Sequence, residues 1–234
     1  MTVLFFLLSV LMVIEASTSL SRLTGYLLKT PESGLILQSS LALISRMVMF
    51  LFMPFLGYLS DQKTLLANNN LTLLLVSFLM PIALLCLYLF NGRVIDIYSV
   101  LISRVSGYGS FFYGVSFFSK IIDQSKLKRK KVKSLTGFYL LVFIAYVPYY
   151  LAWPVVILLL DAFHDQRGMI LGMSSVFNGV NTILLTMFVD PKLIKIGKYP
   201  KILPSVYLNL IKVRVFSSFF AIFILFCTYL AFLS

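Results

Sequence analysis

The chain has 234 residues, 60% hydrophobic and 12% charged, with a mean hydropathy of +0.97. A soluble domain is about half apolar and about a quarter charged, so soluble, collagen-like, disulfide-scaffold and disordered classes are all excluded. Twenty Lys and Arg against eight Asp and Glu leave a net charge of +12, which in so apolar a chain points to membrane topology and not to nucleic acid.

Charge-poor stretches of about 20 residues predict seven membrane spans. They cover 3–28, 34–59, 70–91, 94–118, 135–160, 168–189 and 213–233. The expected fold class is all-α, a polytopic membrane helix bundle of about seven transmembrane helices forming one integral domain over 1–234. The first span lacks a basic leading region and runs on into helix-compatible polar sequence, so it reads as a retained span and not a cleaved signal. Pro54, Pro81, Pro148 and Pro154 fall inside spans and predict kinks.

Orientation follows from the loops. Seven basic residues, Lys120, Lys126, Lys128, Arg129, Lys130, Lys131 and Lys133, lie between spans four and five. Lys192, Lys195, Lys198, Lys201, Lys212 and Arg214 lie between six and seven, and Lys63 between two and three. With seven spans these fourteen share one side, against Lys29, Arg93 and Arg167 on the other. The basic side is read as cytoplasmic, which puts the N-terminus inside and the C-terminus outside. The basic loops should touch anionic membrane lipids, and Lys198 to Arg214 reads as a segment lying along the inner surface.

Ionisable groups inside a span cost at least about 2.5–3.5 kcal/mol and usually face a cavity or a partner. Span one carries Glu15 and Arg22, one heptad apart and so close to one helical face. Span two has Arg46 near its middle. Span four has Arg104, with Asp96 nearer its outer mouth, and span six carries the polar stripe Ser174, Asn178 and Asn181. Glu15 and Asp96 can balance some of this charge or serve in coupling. The surplus of guanidinium suggests that Arg22, Arg46 and Arg104, with Asn178 and Asn181, line a cavity for a phosphate-bearing ligand.

Two strings match, Ser21-Arg22-Leu23-Thr24-Gly25-Tyr26 and Ser103-Arg104-Val105-Ser106-Gly107-Tyr108. They suggest a 3+3 inverted repeat, 1–91 against 94–190, with 213–233 as an appended helix. Gly168 and Gly172, continued by Ser175 and Gly179, form a small-residue seam suited to close helix packing.

Metal and enzyme chemistry find little to work with. Cys86 and Cys227 stand alone and His164 is the only histidine, so no metal site or cofactor is expected. No G-x-S-x-G nucleophile elbow, P-loop or dinucleotide fingerprint occurs, and no enzyme activity is expected.

Ser21-Arg22 with Gly25, Leu43-Ile44-Ser45-Arg46, and Asn178-Gly179 with Thr182 and Val189-Asp190-Pro191 resemble the Amj family. Its members are bacterial lipid II flippases, an alternate to the main flippase of peptidoglycan and cell-wall biogenesis. The likeness covers most of the chain in length and hydropathy, with its motifs confined to those three places. The Lys-rich loop and the basic segment after Asp190 match no family pattern. The resemblance implies a multi-pass protein of the bacterial plasma membrane. Its substrate would be lipid II or a related polyprenyl-diphosphate lipid, with the arginines meeting the diphosphate. Two rival readings are a membrane-embedded transferase acting on a lipid phosphate, and a non-catalytic assembly or immunity partner.

Overall fold

The computed structural model describes residues 2–62, 70–113, 122, 135–199 and 201–233. Among them every regular element is helical, as the composition requires. The helices are α1 (Thr2–Leu27), α2 (Pro31–Asp61), α3 (Asn70–Ser77), α4 (Leu79–Leu89), α5 (Asn91–Tyr108), α6 (Thr136–Ala162), α7 (Arg167–Leu184), α8 (Asp190–Gly197) and α9 (Leu203–Leu233). A wide π-type turn over Leu185–Val189 joins α7 to α8. Lys63 and the basic run from Lys120 to Lys133 lie outside the described residues.

Five stretches are long and apolar enough to cross a bilayer: α1, α2, α6, α7 run together with α8, and α9. A bent pair brings the number to six, its limbs Leu73–Leu89 and Asn91–Tyr108 differing by 70° in direction. The expected third and fourth spans, 70–91 and 94–118, are largely these two limbs. Local chemistry sets the breaks. Pro81 has no N–H to offer the Ser77 carbonyl, and α3 gives way to α4 at Phe78. Asn91 and Gly92 stand at the 70° bend, where the Asn91 side-chain amide donates to the Tyr88 carbonyl. Gly109, at φ +64, ends α5 by returning its N–H to the Val105 carbonyl at 3.0 Å. Pro54, Pro148 and Pro154, expected to kink their helices, lie inside α2 and α6 without interrupting either.

The last helix differs from expectation. Leu203 to Arg214 is not a surface segment but the first three turns of α9. Leu203, Val206, Tyr207, Leu210, Ile211 and Arg214 are buried at helical spacing, while Lys212 points out over the Phe216 ring. The periodicity of the apolar residues outweighs the basic ones scattered among them.

Helices α1, α6 and α9 form the centre, each about half buried over its spanning stretch, against 17% for both α2 and α7–α8. Thus α9, expected as an appendage, packs on α6, α4 and α1. The contacts also fix direction. Tyr139 meets Asn209 near the start of both α6 and α9, and Leu158 and Ala162 share a cavity with Leu225 and Tyr229 near their ends, so these helices run parallel. α1 runs the other way: Glu15 meets Tyr149, Arg22 meets Asp190, and Tyr26 abuts Gly197.

The bundle therefore has a Gly197 end and an Asp61 end. The head of α6 lies at the Gly197 end, where Lys192 sits 5.9 Å from the Phe138 ring. Leu73 and Leu74 of α3 lie beside Leu158 and Ala162, toward the Asp61 end. Taken as one span, the bent pair brings the described residues to six passes. Because α1 runs against α6 and α9 runs with it, Thr2 and Leu233 point toward the same end of the described bundle.

The matched strings occupy unlike surroundings. A Cβ on Gly25 would stand 2.8 Å from Gly34 Cα, so α1 and α2 meet there almost backbone to backbone, whereas Gly107 has open space around it. Among the described residues the seam expected at Gly168, Gly172 and Gly179 makes no close contact, since nothing lies within 4 Å of a Cβ at any of the three.

Candidate functional site

Three polar assemblies occupy the helix interior. The deepest joins α1, α6 and α9. Arg214 is buried, its Nε donating to Tyr150 Oη at 3.1 Å and its Nη1 to the Glu15 backbone carbonyl at 3.1 Å. The guanidinium also lies 4.2 Å from the Tyr146 ring centroid, a cation–π contact in a dry setting. Tyr149 donates its hydroxyl to the Glu15 carboxylate. Glu15 was expected to balance an arginine of the span interior. Arg214, assigned from sequence to a cytoplasmic loop, stands beside it instead and bonds its backbone carbonyl.

The second assembly lies nearer the Gly197 end. Arg22 Nη1 meets Asp190 Oδ1 at 2.8 Å, and Arg22 Nε donates to Gln38 Oε1. With Thr18, Ser19 and Tyr207 they border a cavity of about 140 Å³. The wide turn Leu185–Val189 helps to make this pairing. An unbroken helix of 3.6 residues per turn sets Asp190 half a turn round from Asn181, and five residues in a wider turn remove part of that angle.

The third assembly is a groove between α2 and α7, floored by α6. Arg46, Met49, Phe50, Met53, Trp153, Ser174, Ser175 and Asn178 border a space of about 230 Å³. Helix α2 packs chiefly on α1, and α7 chiefly on α6, so the two walls stand apart. Beside the groove both walls expose large apolar side chains, among them Ile44, Met47, Val176 and Val180. The groove therefore opens sideways between lipid-type surfaces. Arg46 lies at the midpoint of α2. Among the described residues its guanidinium has no hydrogen-bond or ion-pair partner. Among the described residues Asn178 Oδ1, Asn181 Oδ1 and Trp153 Nε1 are buried without partners.

The arginines predicted to share one cavity do not converge. Arg22 is engaged by Asp190 and Gln38. Arg46 faces the groove, a little over two turns along α2 from Gln38. Arg104 is buried on α5, its Nη1 donating to the Phe111 carbonyl at 3.0 Å. Asp96 is half-buried on the same helix, and neither of these two borders the cavity or the groove. The fold does bring Arg46 and Asn178 together, with Asn181 one turn further along α7. Sequence reasoning missed Gln38, Trp153, Asp190 and Arg214 as members of these assemblies. The apolar period running through Leu203, Val206, Leu210 and Arg214 carried the only local signal for the last.

Comparison of the chain with protein-family models, with curated proteins and with solved structures gave no match.

Proposed function

We propose that this protein carries a phosphate-bearing polyprenyl lipid between the leaflets of the bacterial plasma membrane, as an Amj-type lipid II flippase. One observation carries the reading: an unpartnered guanidinium, Arg46, at the middle of a spanning helix and facing a sideways-open groove. An isolated charge at that depth is costly, and phosphate oxygens are the partner a guanidinium fork fits best. A groove open to the side lets the polar head travel within it while the isoprenoid tail stays in lipid.

Two ion pairs bracket the groove. Arg22–Asp190 joins α1 to α8 near the Gly197 end, and Asp61–Arg167 joins α2 to α7 at the other. Both tie the α1–α2 hairpin to α7–α8. Opening one while the other holds would expose the groove to one side at a time. The role is that of a carrier and not of an enzyme.

Lys29, Lys192, Lys195, Lys198 and Lys201 gather at the Gly197 end. Arg167 lies toward the opposite end. On the positive-inside rule the Gly197 end is cytoplasmic and touches anionic lipids, with both termini on the outer side. Complementation tests the reading. In cells depleted of their principal lipid II flippase, the wild-type chain should restore growth and an inserted Arg46→Gln chain should not. Equal rescue by both would remove Arg46 from the function.

A further inference from the structure

A cavity of about 390 Å³ lies between α3, α6 and α9 and shares no lining residue with the Arg46 groove. Its size falls within the ~300–1,000 Å³ of pockets that enclose a small ligand. The walls are aliphatic: Leu73 and Leu74 of α3, Val155, Leu158 and Leu159 of α6, and Leu225 of α9. From Val155 to Ala162 the lining follows α6 for two turns, about 10 Å at ~1.5 Å per residue. Leu75 and Phe226, next in sequence to two of these walls, are exposed, so the cavity borders the lipid.

The mouth at the Asp61 end is chemically one-sided. Asp161 lines it from the last turn of α6, half-buried. Among the described residues its carboxylate has no ion pair or hydrogen bond, and no lining residue is basic. Arg167, at the same end, is engaged by Asp61. Thr228 Oγ1 donates its proton to the Leu225 carbonyl at 2.7 Å, so toward a ligand it can only accept. Helices α6 and α9 run parallel and bring both carboxy-terminal ends to this side, neither with a basic residue in its last turn. Such an end carries partial negative charge and favours a cation, and an aspartate there has the wrong sign.

We propose that this cavity binds an amphipathic amine, an apolar body bearing one ammonium group and no phosphate. The ammonium donates to the Asp161 carboxylate and to Thr228 Oγ1 at the mouth, and the hydrocarbon lies among the leucines. A phospholipid head fits worse, because its phosphate would face the carboxylate and the negative helix ends. An uncharged chain would fill the walls and leave Asp161 unpaired. The proposal rests on this cavity and not on the lipid-carrier reading.

The test uses the full chain in phosphatidylcholine nanodiscs. Three probes of one chain length, decylamine, decanol and decanoic acid, each carry the same photoreactive diazirine. Labelling of the α6 and α9 walls is read by peptide mass spectrometry relative to Phe6, a 61% exposed residue of α1, which cancels differences in partition into the bilayer. The amine should label the walls about tenfold more than the alcohol, with the acid lowest. Asp161→Asn should bring amine and alcohol to within about twofold of each other. Val155→Phe, which adds bulk inside the cavity, should lower wall labelling by both. Equal labelling by amine and alcohol in the wild type would overturn the proposal, as would an amine preference that survives Asp161→Asn. Amine labelling of Val155→Phe at the wild-type level would place the amine outside the cavity and overturn it too.

Discussion

Arg22 and Asp190 are 168 residues apart in the chain and form an ion pair of 2.8 Å. The pair ties the first helix to the α7–α8 run beside the cavity at the Gly197 end. Neutralising one partner leaves the other charge in a largely apolar setting. Asp190→Asn or Arg22→Gln should each lower stability in detergent by about 1–3 kcal/mol, less than for a fully buried pair because Asp190 keeps 34% of its side-chain surface. The exchange Arg22→Asp with Asp190→Arg should recover at least half of the loss. A double exchange no better than the sum of its parts would show that the two do not couple.

Arg214 should be the least replaceable arginine for folding. It serves Tyr150, the Glu15 carbonyl and the Tyr146 ring together, a geometry that a lysine ammonium does not reproduce. Arg214→Lys should still cost roughly 2 kcal/mol, and Arg214→Met about 3 kcal/mol by leaving the Glu15 carbonyl and the Tyr150 hydroxyl without their buried donor. Thermal unfolding of the purified variants checks both. A lysine variant as stable as wild type would contradict the network described.

The glycines of the two matched strings should part company. At Gly25 a methyl group meets the Gly34 backbone, so Gly25→Ala should destabilise by about 1–3 kcal/mol through overpacking. At Gly107 the same change meets nothing, and replacing glycine in a helix should be neutral or favourable by about 0.5–1 kcal/mol. Equal effects at both positions would favour a true structural repeat over a short coincidence.

Topology reporters give a sharp reading of the path. A periplasmic reporter fused after Leu233 should be active, and one fused after Lys201 inactive, because α9 lies between them. A tag ahead of Thr2 should be accessible from the same side as the first. Accessibility of the two termini from opposite sides would contradict the opposed course of α1 and α9.

What was legible followed from local composition. Runs rich in Leu, Ile and Phe define the helices because a spanning segment must satisfy its backbone internally, and Arg46 could be placed at mid-span by counting from either end of span two. The number of passes was not legible in that way. Hydropathy cannot tell two spans from one pair of limbs bent by 70° at Phe90–Asn91. The partners of the charges were hidden as well. Asp190 reaches Arg22 through a helix with a wide turn, and Arg214 is buried by packing against α1 and α6. Counting Arg214 among surrounding lysines made a core residue look like part of a loop. The convergence expected of Arg22, Arg46 and Arg104 failed because each sits on a different helix whose rotation is set by packing.

Transport itself is the most direct test of the central claim, that the Arg46 groove passes a lipid phosphate across the bilayer. Purified chain reconstituted in liposomes, with a fluorescent polyprenyl-diphosphate sugar in both leaflets, is treated with a membrane-impermeant quencher after mixing. Wild-type vesicles should lose nearly all fluorescence, as inner-leaflet probe reaches the quencher, while Arg46→Gln vesicles should stop near half, like protein-free ones. Complete quenching with Arg46→Gln, or quenching that stops at half with the wild type, would contradict the account.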